Sequence, residues 1–275
     1  GDGSIMNYKL ICLDVDGTLL DDEKRVSEAV KESLAKVHAI GISVALVTGR
    51  MPAATERIEK EVSVPCIKAC NAGTYILLGE ECIHAKVLPV EAAQKINEEF
   101  FAPHHLPLWI FEGKKWYVTA VDSYVERESR IIHVKPEIVK MDELVKRWKE
   151  DGGGPNKLLA GADPSIISRI QKEMKAMNIS GVDMARSSDI YLEIFPAGAT
   201  KGEALEAICK KLGIYPEETM AFGDQELDIP MLKKAGTSIA MGNAIPEVKE
   251  LADFVTKSNN EEGIAFALEH YLNLK

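Results

Sequence analysis

The segment LICLDVDGTLLDD, residues 10–22, specifies the strand and turn around which the first part of the chain is organised. Four apolar residues predict a buried strand that ends at Asp14, and Gly17 lets the chain turn sharply after Asp16. Residues i and i+2 of a strand point to the same side, so the two carboxylates are predicted to crowd one spot. Carboxylates that close repel each other, and the pKa of one rises unless a cation lies between them. A solvated acidic turn after an ordinary strand is the alternative, and the segment by itself leaves both open.

The composition is that of an ordinary globular protein, and its charge disfavours some kinds of binding partner. The 275 residues suffice for one large domain or two of average size. With 33 basic and 43 acidic residues, the net charge of −10 argues against broad binding to nucleic acids or anionic membranes. No apolar stretch reaches the ~20 residues of a membrane span, and the N-terminal residues lack the pattern of a signal peptide. Of the five cysteines, three lie in or beside apolar runs, which favours reduced thiols and a cytoplasmic location.

Short apolar runs alternate with helical patterns at both ends of the chain. Runs without polar alternation are typical of strands covered on both faces, and they lie at residues 9–14, 42–50, 64–73, 219–225 and 237–243. Between them, residues 26–40 and 201–212 carry apolar residues at helical spacing, with Ser27 and Thr200 as predicted N-caps. This alternation predicts an α/β fold with a doubly wound, Rossmann-like parallel sheet.

The middle of the chain has a different pattern. Residues 109–121 predict a β-hairpin, and residues 142–150 predict a helix. Further strand-like and helix-like segments follow them. Such a mixture predicts an inserted α+β cap domain at residues 85–188, between core segments at residues 1–84 and 189–275.

Polar residues cluster where the predicted core strands end. In an open parallel sheet, ligands bind beyond the carboxyl ends of the strands. The candidates at these ends, together with a lysine in the first turn of the helix that follows the insert, are Asp14, Asp16, Thr48, Gly49, Arg50, Asn71, Lys201, Asp224, Asp228 and Asn243. Carboxylates from two strands suit Mg²⁺, and a lysine beside a helix N-terminus suits a phosphate group.

These residue types predict phosphoryl-transfer chemistry. With a metal ion offsetting charge, one carboxylate can attack phosphorus and form an aspartyl phosphate. The other can exchange a proton with the leaving oxygen and later with water, provided that its neighbour raises its pKa. The hydroxyl of Thr48 can donate a hydrogen bond to a phosphoryl oxygen.

Four motifs, in the same order along the chain, resemble the haloacid dehalogenase-like superfamily. They are DVDGTLL at 14–20, VTGR at 47–50, Lys201 early in a helix, and FGDQELD at 222–228. The insert after the third strand, IFPAGATKG at 194–202 and MGNAIPEVKELAD at 241–253 are similar to the Cof-type branch with a C2 cap.

The resemblance implies a Mg²⁺-dependent phosphatase that acts on small phosphorylated metabolites, sugar phosphates foremost, under a mobile cap. It implies that Asp14 is the nucleophile and a metal ligand, and that Asp16 is the general acid/base and binds the metal through its backbone carbonyl. Asp224 would complete the protein ligands of the metal, with Asp228 behind it. The groups that would hold the phosphoryl group and substrate are Thr48, Gly49, Arg50, Asn71, Lys201 and Asn243.

Two departures from the family pattern and two alternatives remain. Members of this branch usually carry Asn where this chain has Leu227, and NAGT at 71–74 is a rearranged form of the usual Asn-Gly-Ala. A phosphomutase would use the same core residues. A phospho-acceptor or binding protein with weak turnover is the alternative from a different functional class, and the oligomeric state is open.

Overall fold

The structure is a computed structural model that describes residues 7–274, and the chain divides into two compact units. The first unit comprises the residues up to Arg50, Thr55–His84 and the residues from Thr200 onward. The second unit comprises Met51–Ala54 and Ala85–Ala199. Within residues 7–274, every helix is too short or too polar to traverse a lipid bilayer.

Regular elements follow one another closely along the described residues. The strands, in chain order, are β1 (Leu10–Leu13), β2 (Ser43–Val47), β3 (Ile67–Cys70), β4 (Tyr75–Leu78), β5 (Glu81–Ala85), β6 (Trp109–Glu112), β7 (Lys115–Val118), β8 (Glu137–Ile138), β9 (Lys157–Gly161), β10 (Val182–Ser188), β11 (Tyr191–Pro196), β12 (Thr219–Gly223), β13 (Thr237–Ala240) and β14 (Phe254–Val255). The α-helices are α1 (Glu28–Ala39), α2 (Pro52–Val62), α3 (Val90–Ile96), α4 (Ser123–Ile132), α5 (Met141–Asp151), α6 (Pro164–Met177), α7 (Lys201–Leu212), α8 (Ile229–Lys234), α9 (Pro246–Leu251) and α10 (Gly263–Leu272).

The first unit is built on an eight-stranded sheet with the order β14-β13-β12-β1-β2-β3-β4-β5. The strands from β14 to β3 in this order pair in parallel, and β4 joins β3 antiparallel. Alternate residues of β1 enter apolar clusters on opposite faces: Ile11 packs in the cluster that contains Leu34 of α1, and Leu10 in the cluster that contains Leu205 of α7. This coverage on both faces explains the uninterrupted apolar run of β1. The predicted doubly wound α/β sheet is confirmed.

The register of the central strands brings their carboxyl ends together. Leu13 of β1 lies opposite Leu46 of β2 and opposite Phe222 of β12. Strands that run in parallel and in register end at the same edge of the sheet, so the residues that follow them are neighbours in space.

Two predicted helices have the expected N-terminal caps. Ser27 Oγ accepts a hydrogen bond from the N–H of Val30 at 3.3 Å at the start of α1. Thr200 Oγ1 accepts one from the N–H of Glu203 at 3.1 Å at the start of α7. Each cap satisfies a backbone donor that the first helical turn leaves without a partner.

The second unit has a six-stranded sheet with the order β10-β11-β9-β6-β7-β8. All its pairings are antiparallel except that of β7 with β8, and β6 and β7 form the predicted hairpin. Its core contains Trp148 of α5 and Ile170 of α6, packed with residues of β6 and β9. The predicted α+β character of the insert is therefore present.

The C-terminal limit of the second unit differs from the predicted domain boundary after residue 188. β11 pairs with β9 and β10, so Tyr191–Pro196 belongs to the sheet of the second unit, which extends to Ala199. Strand-like sequence does not reveal which sheet a strand joins, because that depends on its pairing partners.

Candidate active site

Three strand ends place polar side chains at one edge of the first unit's sheet. Asp14 follows β1, Thr48 follows β2 and Asp224 follows β12, and all three are buried. The N–H of Asp14 also donates to the carbonyl of Phe222 at 3.2 Å, which links the ends of β1 and β12 directly.

Asp14, Asp224 and Asp228 form a compact acidic group. One carboxylate oxygen from each lies within 4.8 Å of the others, and all three residues are buried. Burial and then the charge of Asp228 raise the pKa of Asp14, although the ammonium group of Lys201 opposes this rise. Burial also raises the pKa of Asp224. The group therefore favours binding a proton or a cation, because its ionised carboxylates repel one another with little water to screen them.

Lys201 lies against this acidic group. Its Nζ donates to Asp14 Oδ1 and to Asp228 Oδ1, each at 2.7 Å, and the side chain is buried. Burial lowers the pKa of Lys201, but the two carboxylates outweigh this effect and raise it above its ordinary value. The amine is therefore a fixed positive charge at the first turn of α7.

Asp228 uses both of its carboxylate oxygens within the protein. Oδ1 accepts from Lys201, and Oδ2 accepts from the N–H groups of Asp224 at 2.9 Å and Gln225 at 3.0 Å. These contacts orient the lysine and the turn that carries Asp224. This arrangement fits a residue behind a metal rather than one with a free oxygen.

Asp16 lies in a different environment from Asp14, so the prediction that the two carboxylates crowd one spot is wrong. β1 ends at Leu13, and Gly17 has a left-handed φ of 79°, so the i, i+2 rule for strands no longer applies. Asp16 accepts from Arg50 Nε at 3.0 Å and Arg50 Nη2 at 2.8 Å, and Lys24 Nζ lies 3.1 Å away.

The neighbours of Asp16 also change its expected proton affinity. Burial raises the pKa of Asp16, but the hydrogen bonds and charge of Arg50, aided by Lys24, outweigh it and lower this pKa to about 2. The expectation that a neighbour raises the pKa of the second carboxylate is therefore wrong for this structure. Asp16 is held as a carboxylate, the form that accepts a proton.

From the ion pair between Asp16 and Arg50 we expect a contribution to stability that depends on pH. Because the pKa of Asp16 is lowered by folding, its contribution is complete well above the unfolded value near 4 and is lost as the pH falls toward 2. The Asp16 side chain is 45% exposed, so water screens its ion pair and reduces the energy expected from the pKa shift. We expect Asp16→Asn to lower the free energy of unfolding by about 1 kcal/mol at pH 7 and by about half as much at pH 3. Urea titrations at both pH values measure this difference, and an equal loss at both would contradict an ionic origin.

Gly17 is required by two features of the loop. Its φ of 79° lies in the left-handed region, and a Cβ at this position would overlap the carboxylate of Asp224, lying 2.8 Å from its Cγ. The backbone of the loop therefore approaches Asp224 as closely as glycine allows.

Gly17→Ala should consequently disturb both the fold and the site. We expect a loss of about 1–3 kcal/mol in the free energy of unfolding and about 10²-fold in turnover, because Asp224 must move. Gly41→Ala is the matched control, since Gly41 has a φ of 88° but nothing within 4 Å of an added Cβ. Urea denaturation and turnover assays of both variants test this; equal behaviour would show that Asp224 is not displaced.

Thr18 is a site residue that the sequence reasoning did not find. Its Oγ1 lies 2.9 Å from Asp224 Oδ1 and 3.4 Å from Asp14 Oδ2, so one hydroxyl bridges the ends of two strands. The signal available in the sequence was its position, four residues after Asp14 on a loop that closes back on β1.

Thr48 and Asn71 lie on adjacent turns after β2 and β3. The N–H of Ala72 donates to Thr48 O at 2.7 Å, and the N–H of Asn71 donates to Arg50 O at 2.9 Å. The N–H of Arg50 donates to Thr48 Oγ1 at 3.1 Å. Asn71 is fully buried, and neither its amide nitrogen nor its amide oxygen has a hydrogen-bond partner within residues 7–274. Such an amide is costly by about 1–3 kcal/mol and is typical of a site that receives a polar ligand.

The rearranged NAGT segment has a structural consequence. Ala72 has a φ of 63°, in the left-handed region where the usual sequence has glycine. Gly73 packs closely on α7, since an added Cβ would lie 2.8 Å from the Cβ of Ala204. The turn is thereby fixed beside the helix that carries Lys201.

Asn243 does not have the free amide expected of a phosphate-binding residue. Its Nδ2 donates to Gly17 O at 2.8 Å, and its Oδ1 accepts from the N–H of Asn259 at 3.0 Å. The structure thus uses this side chain to join two loops. Leu227, at the position of the family Asn, is half-buried and offers no polar group.

Comparison with known proteins identifies the family. The model of the haloacid dehalogenase-like hydrolase family matches residues 11–268. The chain belongs to this family, and within it to the Cof-type branch. It is a hydrolase of the phosphatase class.

Individual relatives agree with this assignment over the whole chain. The Bacillus subtilis protein named "Putative phosphatase YxeH" is 30% identical over 279 residues, covering 98% of this chain and 100% of the relative. A haloacid dehalogenase-like hydrolase from Bacteroides thetaiotaomicron has a TM-score of 0.86 at 27% identity, covering 96% of this chain and 99% of that one. The subclass IIB sugar phosphatase BT4131 has a TM-score of 0.78 at 26% identity, covering 96% and 99%.

Proposed function

We propose that the protein is a Mg²⁺-dependent phosphatase that hydrolyses small phosphate monoesters, sugar phosphates foremost, through an aspartyl phosphate on Asp14. The observation that carries the proposal is the meeting of Asp14 with Asp224, Asp228 and Lys201 in one buried group. The sugar-phosphate class is supported by the similarity to the sugar phosphatase BT4131. The free thiols found among the described residues agree with a cytoplasmic location for this activity.

The donor set fits a magnesium ion. Asp14 and Asp224 offer hard carboxylate oxygens, which Mg²⁺ prefers as ligands. Burial raises the pKa of both groups, so a cation near them would be stabilising. Asp14 and Asp224 would hold the ion through their carboxylates and Asp16 through its backbone carbonyl, with Asp228 behind them. When bound, Mg²⁺ would offset the negative charge of the carboxylates and of the phosphoryl oxygens.

In the first step, a carboxylate oxygen of Asp14 attacks phosphorus. The Asp14 O–P bond forms, the bond from phosphorus to the alcohol oxygen breaks, and Asp16 gives a proton to the departing oxygen. Lys201 holds a phosphoryl oxygen with a charge that burial does not neutralise.

In the second step, the ionised Asp16 takes a proton from water, whose oxygen attacks phosphorus and breaks the Asp14 O–P bond. The structure holds Asp16 in this ionised form through Arg50. For the first step, a phosphate dianion that competes for the Arg50 guanidinium would weaken the ion pair and so raise the pKa of Asp16. Thr48, the Gly49–Arg50 backbone and the unpartnered amide of Asn71 complete the proposed phosphoryl pocket.

Release of inorganic phosphate from p-nitrophenyl phosphate and a panel of sugar phosphates tests this function. We expect turnover with Mg²⁺ and its loss with EDTA, restored by added Mg²⁺. Recovery of an isomerised sugar phosphate in place of free phosphate would favour the phosphomutase. No turnover on any substrate, together with phosphate or metal binding, would favour the binding-protein alternative and overturn the proposal.

A further inference from the structure

Three asparagines from the C-terminal part of the chain hold the loop that follows β1. We call Asn243, Asn259 and Asn260 the amide clasp. Asn243 Nδ2 donates to Gly17 O at 2.8 Å, and Asn243 Oδ1 accepts from the backbone N–H of Asn259 at 3.0 Å. The first contact therefore reaches the glycine between Asp16 and Thr18.

The other two side chains hold the far half of the same loop. Asn259 Nδ2 donates to Leu20 O and to Asp22 Oδ1, each at 3.0 Å. Asn260 Nδ2 donates to Asp22 Oδ2 at 2.9 Å, and its Oδ1 accepts from the N–H of Asp22 at 2.9 Å. An amide offers a donor and an acceptor together, which a carboxylate or an ammonium group does not.

The position of this loop sets the geometry of the acidic group. Thr18 Oγ1 contacts Asp224 Oδ1 at 2.9 Å, and Gly17 lies against the same carboxylate. The loop also carries Asp16, whose carboxylate lies between Arg50 and Lys24. A movement of the loop would displace the proton-transfer group relative to Asp14, while leaving Asp14 at the end of its strand.

We propose that the amide clasp positions the loop for catalysis, so that its three members are positioning residues for proton transfer by Asp16. The inference rests on the proposed phosphatase function and extends it to residues outside the reacting groups. Asn243 and Asn260 are exposed, so their hydrogen bonds contribute little to the stability of the fold. Their geometric role is to fix the loop at both ends.

Asn243→Ala and Asn259→Ala test the proposal through the identity of the leaving group. A primary alkyl phosphate needs a proton on its departing oxygen, whereas p-nitrophenolate leaves without one. With Mg²⁺, we expect kcat/KM, which reports the first step, to fall by about 10- to 100-fold on the alkyl phosphate and only a few-fold on p-nitrophenyl phosphate. The second step needs Asp16 for both esters, so kcat alone would not separate them. Hydrogen–deuterium exchange of the peptide covering residues 14–25 should become faster in both variants.

Ser238→Ala is the matched control. Ser238 Oγ contacts Asp253 Oδ2 at 3.2 Å and accepts from the N–H of Asp253 at 3.0 Å, so it joins two core segments without touching the loop. We expect this variant to lower the melting temperature while keeping the wild-type ratio of the two kcat/KM values and the wild-type exchange of residues 14–25.

Two outcomes would overturn the clasp itself, and a third would overturn the proposed function together with the catalytic role of the clasp. Unchanged exchange in both asparagine variants would show that the side chains do not hold the loop. Faster exchange with an unchanged ratio of kcat/KM values would show a purely structural role. If the wild type hydrolyses neither ester, the phosphatase proposal and the catalytic role fail together, while the exchange measurement still decides whether the loop is held.

Discussion

Asp14→Asn should abolish turnover, lowering kcat by at least about 10³-fold, because the amide cannot attack phosphorus. We expect this loss of turnover to occur without unfolding of the variant. Asn keeps an oxygen that can accept from Lys201 Nζ, which lies 2.7 Å from Asp14 Oδ1 in the wild type. Steady-state phosphate release, together with circular dichroism, measures both properties.

The same variant should be at least as stable as the wild type at pH 7 without Mg²⁺. Burial and Asp228 raise the pKa of Asp14, so the folded protein binds this proton more tightly than the unfolded chain. The ionised carboxylate therefore lowers the free energy of unfolding progressively as the pH rises above its ordinary pKa near 4. A neutral amide removes this penalty.

Magnesium provides the control for this prediction. We expect Mg²⁺ to raise the melting temperature of the wild type more than that of Asp14→Asn, because the variant lacks one carboxylate ligand. Retained turnover would point to another nucleophile. A large loss of stability in the absence of Mg²⁺ would contradict the assignment of Asp14 as a destabilising buried charge.

The sequence was sufficient to predict the sheet and to place Asp14, Asp224 and Lys201 near one another, because both follow from local rules. The uninterrupted apolar runs correctly predicted the strands around β1, and the carboxyl-end rule correctly grouped Asp14 with Asp224. Lys201 was predicted from its place in the first turn of a helix, where a cation is unfavourable unless an anion is near it. The acidic group supplies such anions in the structure.

The sequence was insufficient where a contact depends on exact backbone geometry or joins distant parts of the chain. Asp16 pairs with Arg50 because β1 ends one residue before Asp14, a difference that periodicity cannot resolve. Asn259 contacts Leu20 across more than 200 positions, and no repeat or spacing marks such a pair. Asp228 lies in the same acidic group as Asp14 and Asp224, but the hydrogen bonds that both of its oxygens accept depend on the fold and could not be predicted from the sequence.

Lys201→Met should strongly lower both the free energy of unfolding and the turnover. The substitution removes the ammonium group that lies 2.7 Å from both Asp14 and Asp228 and leaves buried carboxylates without their cation. Removing one partner of a buried ion pair typically costs about 3–5 kcal/mol. Turnover should fall by about 10²- to 10³-fold, since a charge that stabilises the phosphoryl oxygens is lost.

Lys68→Met is the matched control for burial and side-chain type. Lys68 lies in β3 of the same unit, and it pairs with Glu59 at 2.9 Å. Its side chain is 6% exposed, and that of Lys201 is 7% exposed. We expect Lys68→Met to lose stability while keeping turnover within a few-fold of the wild type. Urea titrations and phosphate release on both variants measure the comparison.

The response to Mg²⁺ then separates a site lysine from a structural one. Lys201→Met removes the ammonium group that contacts Asp14 and Asp228, so a divalent cation should bind the acidic group more tightly and restore part of the lost stability. The rise in melting temperature with Mg²⁺ should therefore be larger for Lys201→Met than for the wild type, and no larger than the wild-type value for Lys68→Met. Equal rises in all three proteins would mean that the lysine and the cation do not share these carboxylates, which would remove the physical basis of the proposed reaction.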